Sequence, residues 1–168
     1  AARRELMEQT AARIGFVLAE QSIARRESPE VVRELESDLE RLGREQVIEQ
    51  VSYTWFNRFS ALRYMDANRY NRVKVVSPAE GQSQPEILAE AKMGNIDETQ
   101  VPSASVRQRI EELLNGQVTS RDPQGEAYRL LLVSACNALN EAMPFMFSRI
   151  HGYTELLAPT DLLSENSI

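Results

Sequence analysis

The chain has 168 residues, 42% of them hydrophobic and 26% charged, with a formal net charge of −6. These values describe one soluble globular domain spanning residues 1–168, long enough to bury about 70% of its unfolded surface. The acidic balance argues against a domain-wide nucleic-acid surface but leaves room for a local basic patch, and no apolar run reaches the ~18 residues of a membrane span. The single Cys136 rules out an intrachain disulfide, which is compatible with a cytoplasmic location. The N-terminus, AARRELMEQTAAR, lacks the apolar core of a secretory signal. The chain opens without Met and ends without an obvious stop signal, so it is expected to be a piece of a longer protein.

Residues 3–26 read as a first helix, with Leu6, Thr10, Ile14, Val17 and Leu18 on one stripe and Gln21 in line with it. Ser28-Pro29-Glu30 opens a second one. Ser28 suits the N-cap, Pro29 the first helical position and Glu30 the positive end of the dipole. Val31, Leu35, Leu39 and Leu42 form its stripe, and Gly43 is its expected stop.

Val47 to Tyr70 reads as the central buried helix. It holds the only Trp and six of the chain's eleven aromatic residues, with no Gly or Pro. At 100° per residue Val47, Ile48, Val51, Trp55, Phe59, Leu62 and Met65 share one stripe. Val51, Trp55, Phe59 and Leu62 are the expected structural core. Tyr53, Phe56 and Tyr64 lie on other faces, which predicts burial on more than one side.

Arg72 to Ser77, RVKVVS, is the best strand candidate, or else an extended connector. Residues 78–86 have loop character. Pro85 to Met93 reads as a short helix ended by Gly94-Asn95. Ser103 or Ser105 caps a helix through Val106, Ile110, Leu113 and Leu114 that stops at Gly116. Asp122-Pro123 opens the last long helix, which runs to Met143 before Pro144 breaks it. Thr160-Asp161 caps a final turn. The fold class is mainly α, a multi-helix domain around the helix at about 47–70, with at most one or two short strands.

The catalytic constellations are weak. His151, the only His, reads as a helix C-terminal residue beside Gly152, and Cys136 as core, so no metal site is expected. There is no phosphate loop and no nucleophile elbow. Glu90-Ala91-Lys92 spells the E-x-K of many nucleases, but it falls in a helical window, where chance explains it better. Positive charge concentrates at Arg58, Arg63, Arg69, Arg72 and Lys74, with only Asp66 opposing. Cations among aromatics can grip a nucleic-acid backbone. Arg58 and Arg69 fall on the apolar stripe, which points to burial and pairing with Asp66 or another carboxylate. Arg63 and Asp66 are i,i+3 neighbours. If DNA is contacted, Arg69, Arg72 and Lys74, at the end of the stretch, are the candidates.

VSYTWFNRFSALRYMDANRY followed by RVKVVS resembles the N-terminal helical region of PglX-type adenine-specific DNA methyltransferases of BREX phage-defence systems, and of related type IIG-like restriction–modification methylases. The opening ARRELMEQTAARIGFVL and the late LLLVSACNALNEAMPFMFSRIHGYTELLAPTDLL are similar to the same family. The resemblance implies an accessory N-terminal domain of an N6-adenine methyltransferase. The full-length parent would use S-adenosylmethionine, and its partners would be the downstream methyltransferase core, duplex DNA and other phage-defence proteins. The family's Asn-Pro-Pro-Tyr type motif is absent here: Asn140 precedes Glu141 and Asn166 precedes Ser167. No catalytic residue and no cofactor is therefore assigned to this chain. The alternative is a helical protein–protein interaction module without DNA contact, and a nuclease built on Glu90 and Lys92 ranks third.

Overall fold

The computed structural model describes residues 2–148 and 152–159. The described residues form α1 (Ala2–Leu18), α2 (Ile23–Glu27), α3 (Pro29–Leu42), α4 (Arg44–Ala67), α5 (Glu86–Lys92), α6 (Ala104–Leu114), α7 (Pro123–Leu139) and α8 (Tyr153–Leu156). The fold is mainly α; among the described residues β pairing is limited to one isolated bridge, Pro78 to Pro85. Contacts group into two units, residues 1–57 with 150–168 and residues 58–149, so α4 contributes to both. His151 and the Thr160-Asp161 cap lie outside the described residues.

In the first unit the expected helix 3–26 is two helices, because local polar groups end one and start the other. The Arg25 guanidinium donates twice to the Leu18 carbonyl, closing α1, while Ser22 Oγ accepts from the Arg25 N–H and caps α2. Pro29 begins α3 as expected, but Ser28 makes no side-chain cap bond. Val32 and Leu35 are the buried residues of α3, so its inward face is shifted from the Val31 stripe. Gly43 stops α3 at φ 88°.

The core of this unit joins Leu6, Ile14, Val17, Leu35, Val47, Val51 and Trp55. Each such side chain contributes roughly 1.5–3 kcal/mol when fully buried. The buried Thr10 and Ser52 hydroxyls satisfy each other at 3.1 Å. Trp55 Nε1 donates to the Thr154 carbonyl at 3.1 Å, meeting the polar need of a fully buried indole. Tyr153 Oη donates to Asp38 Oδ2 at 2.7 Å. That bond, with Arg41, holds the Asp38 carboxyl below its usual range, while burial and the same bond push Tyr153 up to about 12.

In the second unit α6 and α7 pack together and α5 packs on both, with Ile110, Leu113, Leu131, Leu132 and Leu88 buried; Leu62 of α4 is buried as well. Ser103 caps α6, its Oγ accepting from the Val106 N–H, and Asp122 caps α7 through the Gly125 N–H. α7 ends at Leu139, four residues short of Met143. The residue before a proline is disfavoured in α geometry; here the chain turns earlier still, and Asn140 Nδ2 donates to the Phe147 carbonyl. Cys136 is core, its thiol pushed up to about 12 by burial.

Val51, Trp55 and Leu62 are buried as expected, whereas Phe59 is only half-buried. α4 spans 44–67 rather than 47–70. Burial on several sides is not what the helix does. Tyr53 and Tyr64 are each 62% exposed and Phe56 37%, so its aromatics divide between a core stripe and an open face. The strand expected at Arg72 to Ser77 is an irregular connector.

Candidate nucleic-acid interface

The end of α4 and the connector after it carry the exposed cations, and Asp66 shapes both. Its carboxylate is 1% exposed and accepts four hydrogen bonds. Oδ1 takes Asn71 Nδ2 at 2.9 Å and the Val75 N–H at 3.0 Å; Oδ2 takes the N–H groups of Val76 at 2.9 Å and Ser77 at 3.0 Å. These N–H groups are the ones a strand would have offered to a neighbouring strand, which explains why RVKVVS forms none. Tyr128 Oη donates to the Val75 carbonyl at 3.0 Å from the other side. Neither Arg63 nor Arg58 is a partner of Asp66.

α4 ends in a Schellman motif. The Tyr70 N–H bonds to the Met65 carbonyl at 2.9 Å and the Arg69 N–H to the Asp66 carbonyl at 3.2 Å, with Arg69 left-handed at φ 57°. The same pair of bonds ends α5 at Gly94 and α6 at Gly116, at φ 85° and 70°. Among the described residues Arg69 is the sole non-glycine with positive φ. A non-glycine residue there costs about 1–2 kcal/mol. Arg69 thus occupies a position where this chain elsewhere uses glycine.

The sequence-derived candidates divide as follows. Arg69 is exposed rather than buried on the stripe, because the helix ends two residues before it. Arg72 is 83% exposed, with its guanidinium 3.7 Å from Asp97. Asp97 is held below the usual carboxyl range chiefly by the Thr99 hydroxyl, at 2.6 Å, and only secondarily by Arg72. Lys74 is half-buried, its Nζ 3.4 Å from the Pro78 carbonyl and its N–H on Glu86 Oε2. Arg69 and Arg72 therefore present charge to solvent, together with exposed Arg63, and Lys74 does so less.

Arg58 does not belong to this surface. It is 4% exposed and donates to the carbonyls of Met146 and Ser148, at 2.6 Å each, and to Ser148 Oγ, with Phe147 under its guanidinium at 5.6 Å. Its partners are carbonyls, not the carboxylate the sequence suggested, and burial lowers its pKa. Glu90 and Lys92 also diverge. Glu90 bonds to Asn95, while Lys92 reaches Gln84 and Gln124.

Sequence reasoning placed aromatics among the cations but did not single out the exposed tyrosine pair. Tyr64 and Tyr70 are 62% and 65% exposed, with ring centroids 6.1 Å apart at 65°. They lie among Arg63, Arg69 and Arg72 in the chain. The available signal was that Tyr64 falls off the apolar stripe.

The fold and this edge define a class: a helical region that presents cations and aromatics at the end of a central helix. No family model matches the chain. Over 129 residues, 75% of the chain, it is 36% identical to the adenine-specific methyltransferase BrxX of Escherichia coli O9:H4 (strain HS). Over 115 residues, 66% of the chain, it is 34% identical to the adenine-specific methyltransferase PglX of Lacticaseibacillus casei (strain Zhang). The chain is thus a relative of the PglX-type adenine-specific methyltransferases, and the matched stretch spans about a tenth of each of these proteins, 10% and 9%.

Proposed function

We propose that the chain is the N-terminal accessory domain of an N6-adenine DNA methyltransferase, acting in the cytoplasm in phage defence or restriction–modification. The observation that carries this reading is the 36% identity over 129 residues to BrxX. In the full-length parent, S-adenosylmethionine would supply the methyl group within a downstream core. This chain lacks the Asn-Pro-Pro motif expected of such a core. The role assigned here is to hold duplex DNA by its phosphates, through Arg69 and Arg72 with a smaller contribution from Lys74. The exposed guanidiniums support it, since phosphate contacts need cations that solvent can reach. The bland account of the same cations is that they complement the negative end of the α4 dipole, a term of about 0.3–1 kcal/mol.

Titration of the chain with duplex DNA at low and moderate salt tests the DNA role. Replacing Arg69 or Arg72 by Ala should weaken binding and flatten the salt dependence by about one unit of slope per lost phosphate contact. Binding that is absent, or unchanged in both variants, defeats it. The second reading, a protein-docking module, is favoured by the exposure of Tyr53 and Phe56 on α4. It predicts that Tyr53→Ser weakens capture of the methyltransferase core and leaves DNA titrations unchanged.

A further inference from the structure

We propose that the Tyr64–Tyr70 pair is a stacking platform for unpaired DNA bases, so that this edge prefers a single-stranded or locally opened segment to intact duplex. The inference rests on the phosphate-contact reading above, in which the cations hold duplex DNA, and adds that the rings make the same edge hold an opened strand more tightly. Three observations carry it. First, both rings stand about two-thirds exposed in an edge-to-face pair, whereas Tyr128 of the same unit is buried. An intact duplex offers phosphates and groove edges, and its base faces are stacked on one another. Only an unpaired base has a free π-face for a tyrosine. Second, the backbone that carries the two rings is held by hydrogen bonds. The Tyr70 N–H is tied to the Met65 carbonyl, and the Tyr64 carbonyl accepts from the Asn68 N–H at 3.1 Å and from Asn68 Nδ2 at 2.8 Å. Third, the charge fits a nucleic-acid strand. Arg63, Arg69 and Arg72 are exposed beside the rings in sequence. The nearest acid in sequence, Asp66, is turned inward onto N–H groups of the connector, so it does not screen them.

Arg69 is the sharpest of these. The turn it occupies is closed by glycine at the ends of α5 and α6. Arg69, next to Tyr70 in sequence, keeps an exposed cation at a left-handed position that the chain elsewhere gives to glycine, which is where a strand stacked on the rings would need a phosphate partner. Stacking, like a phosphate contact, requires no base identity, so the site reads strand state and not sequence.

The test is fluorescence anisotropy of the 168-residue chain against a labelled DNA single strand, the blunt duplex of that sequence, and a duplex carrying a short unpaired bulge. The expected order of affinity is single strand and bulge above blunt duplex. Tyr64→Ala and Tyr70→Ala should each weaken the single strand roughly 5- to 100-fold, and the corresponding Phe variants should retain binding because the π-face remains. Both tyrosines are exposed, and circular dichroism of each variant checks that the fold is kept. Blunt duplex bound as tightly as single strand, or Ala variants indistinguishable from wild type, overturns the platform. If duplex binding still depends on Arg69 and Arg72 in that case, the DNA-contact reading survives without it. If no DNA form binds, both fall. Tighter binding of RNA of the same sequence also overturns the assignment to DNA.

Discussion

Replacing Asp66 by Asn removes one carboxylate oxygen and leaves the side-chain volume unchanged. Each oxygen accepts two hydrogen bonds, Oδ1 from Asn71 and Val75 and Oδ2 from Val76 and Ser77. Whichever oxygen becomes the amide nitrogen, two donors then face a donor. A hydrogen bond to a charged group contributes about 1.5–3 kcal/mol net. The loss is therefore about 3–5 kcal/mol, taking the lower part of the range because three of the four bonds are only partly buried. Against the typical 5–15 kcal/mol of a whole domain this is a large fraction. At about 2–4 °C per kcal/mol for a chain of this size, the melting temperature should fall by roughly 6–20 °C. Asp66→Ala should be worse, since all four donors lose their acceptor. Tyr128→Phe, which removes one bond to the Val75 carbonyl, should cost about 1 kcal/mol and serves as the control. Urea unfolding followed by circular dichroism measures all three. An Asp66→Asn variant within about 1 kcal/mol of wild type would refute the view that one carboxylate organises the connector.

Two further outcomes follow from the geometry. Arg69→Gly relieves left-handed strain of about 1–2 kcal/mol and adds about 0.5–1 kcal/mol of glycine entropy cost. Its melting temperature should hold or rise slightly while DNA affinity falls, and a clear destabilisation in a thermal melt would contradict the strain argument. Tyr153 and Asp38 set a pH dependence at both extremes. The Tyr153 pKa is raised from 10 to about 12, so its contribution is complete below pH 10 and is lost as pH rises through 12. Asp38 is depressed below 3.8, so its contribution is complete above that value and is lost as pH falls through the folded-state pKa. Tyr153→Phe should cost about 1.5 kcal/mol near neutrality. The gap to wild type should close toward both extremes, and a gap flat across the whole range in urea titrations would rule this out.

Much of the fold was legible because it follows from local rules. Pro29, Asp122 and Ser103 mark helix starts, and Gly43, Gly94 and Gly116 mark stops, whatever the rest of the chain does. The stripe from Val47 to Met65 found the core face of α4 for the same reason. What was illegible depends on partners distant in sequence. Nothing near Arg58 announces that carbonyls at Met146 and Ser148, about ninety residues on, will receive its guanidinium. Valine content favoured a strand at RVKVVS, and the competing acceptor, Asp66, stood in a helix and read as an ion-pair partner. The break at residues 19–22 was missed because a serine cap and an arginine reaching back to Leu18 are weaker sequence signals than Gly or Pro.

Among the candidate site residues, the error over Asp66 has the largest consequence. Read as the counter-ion of Arg63 or Arg58, it would neutralise the one basic stretch of an acidic chain. In the structure its charge is spent on backbone N–H groups and Asn71, and Arg58 is withdrawn into the core on carbonyls. The first move leaves the exposed cations at Arg63, Arg69 and Arg72 with less local opposition than the composition suggests, with Asp97 still near Arg72, while the second takes Arg58 out of the exposed set. A net charge of −6 still repels a polyanion at long range, so any DNA contact must be short-range and confined to this edge. That confinement is what makes the contribution of single side chains measurable there: with so few cations in reach, the loss of Arg69 or Arg72 removes a large share of the electrostatic attraction.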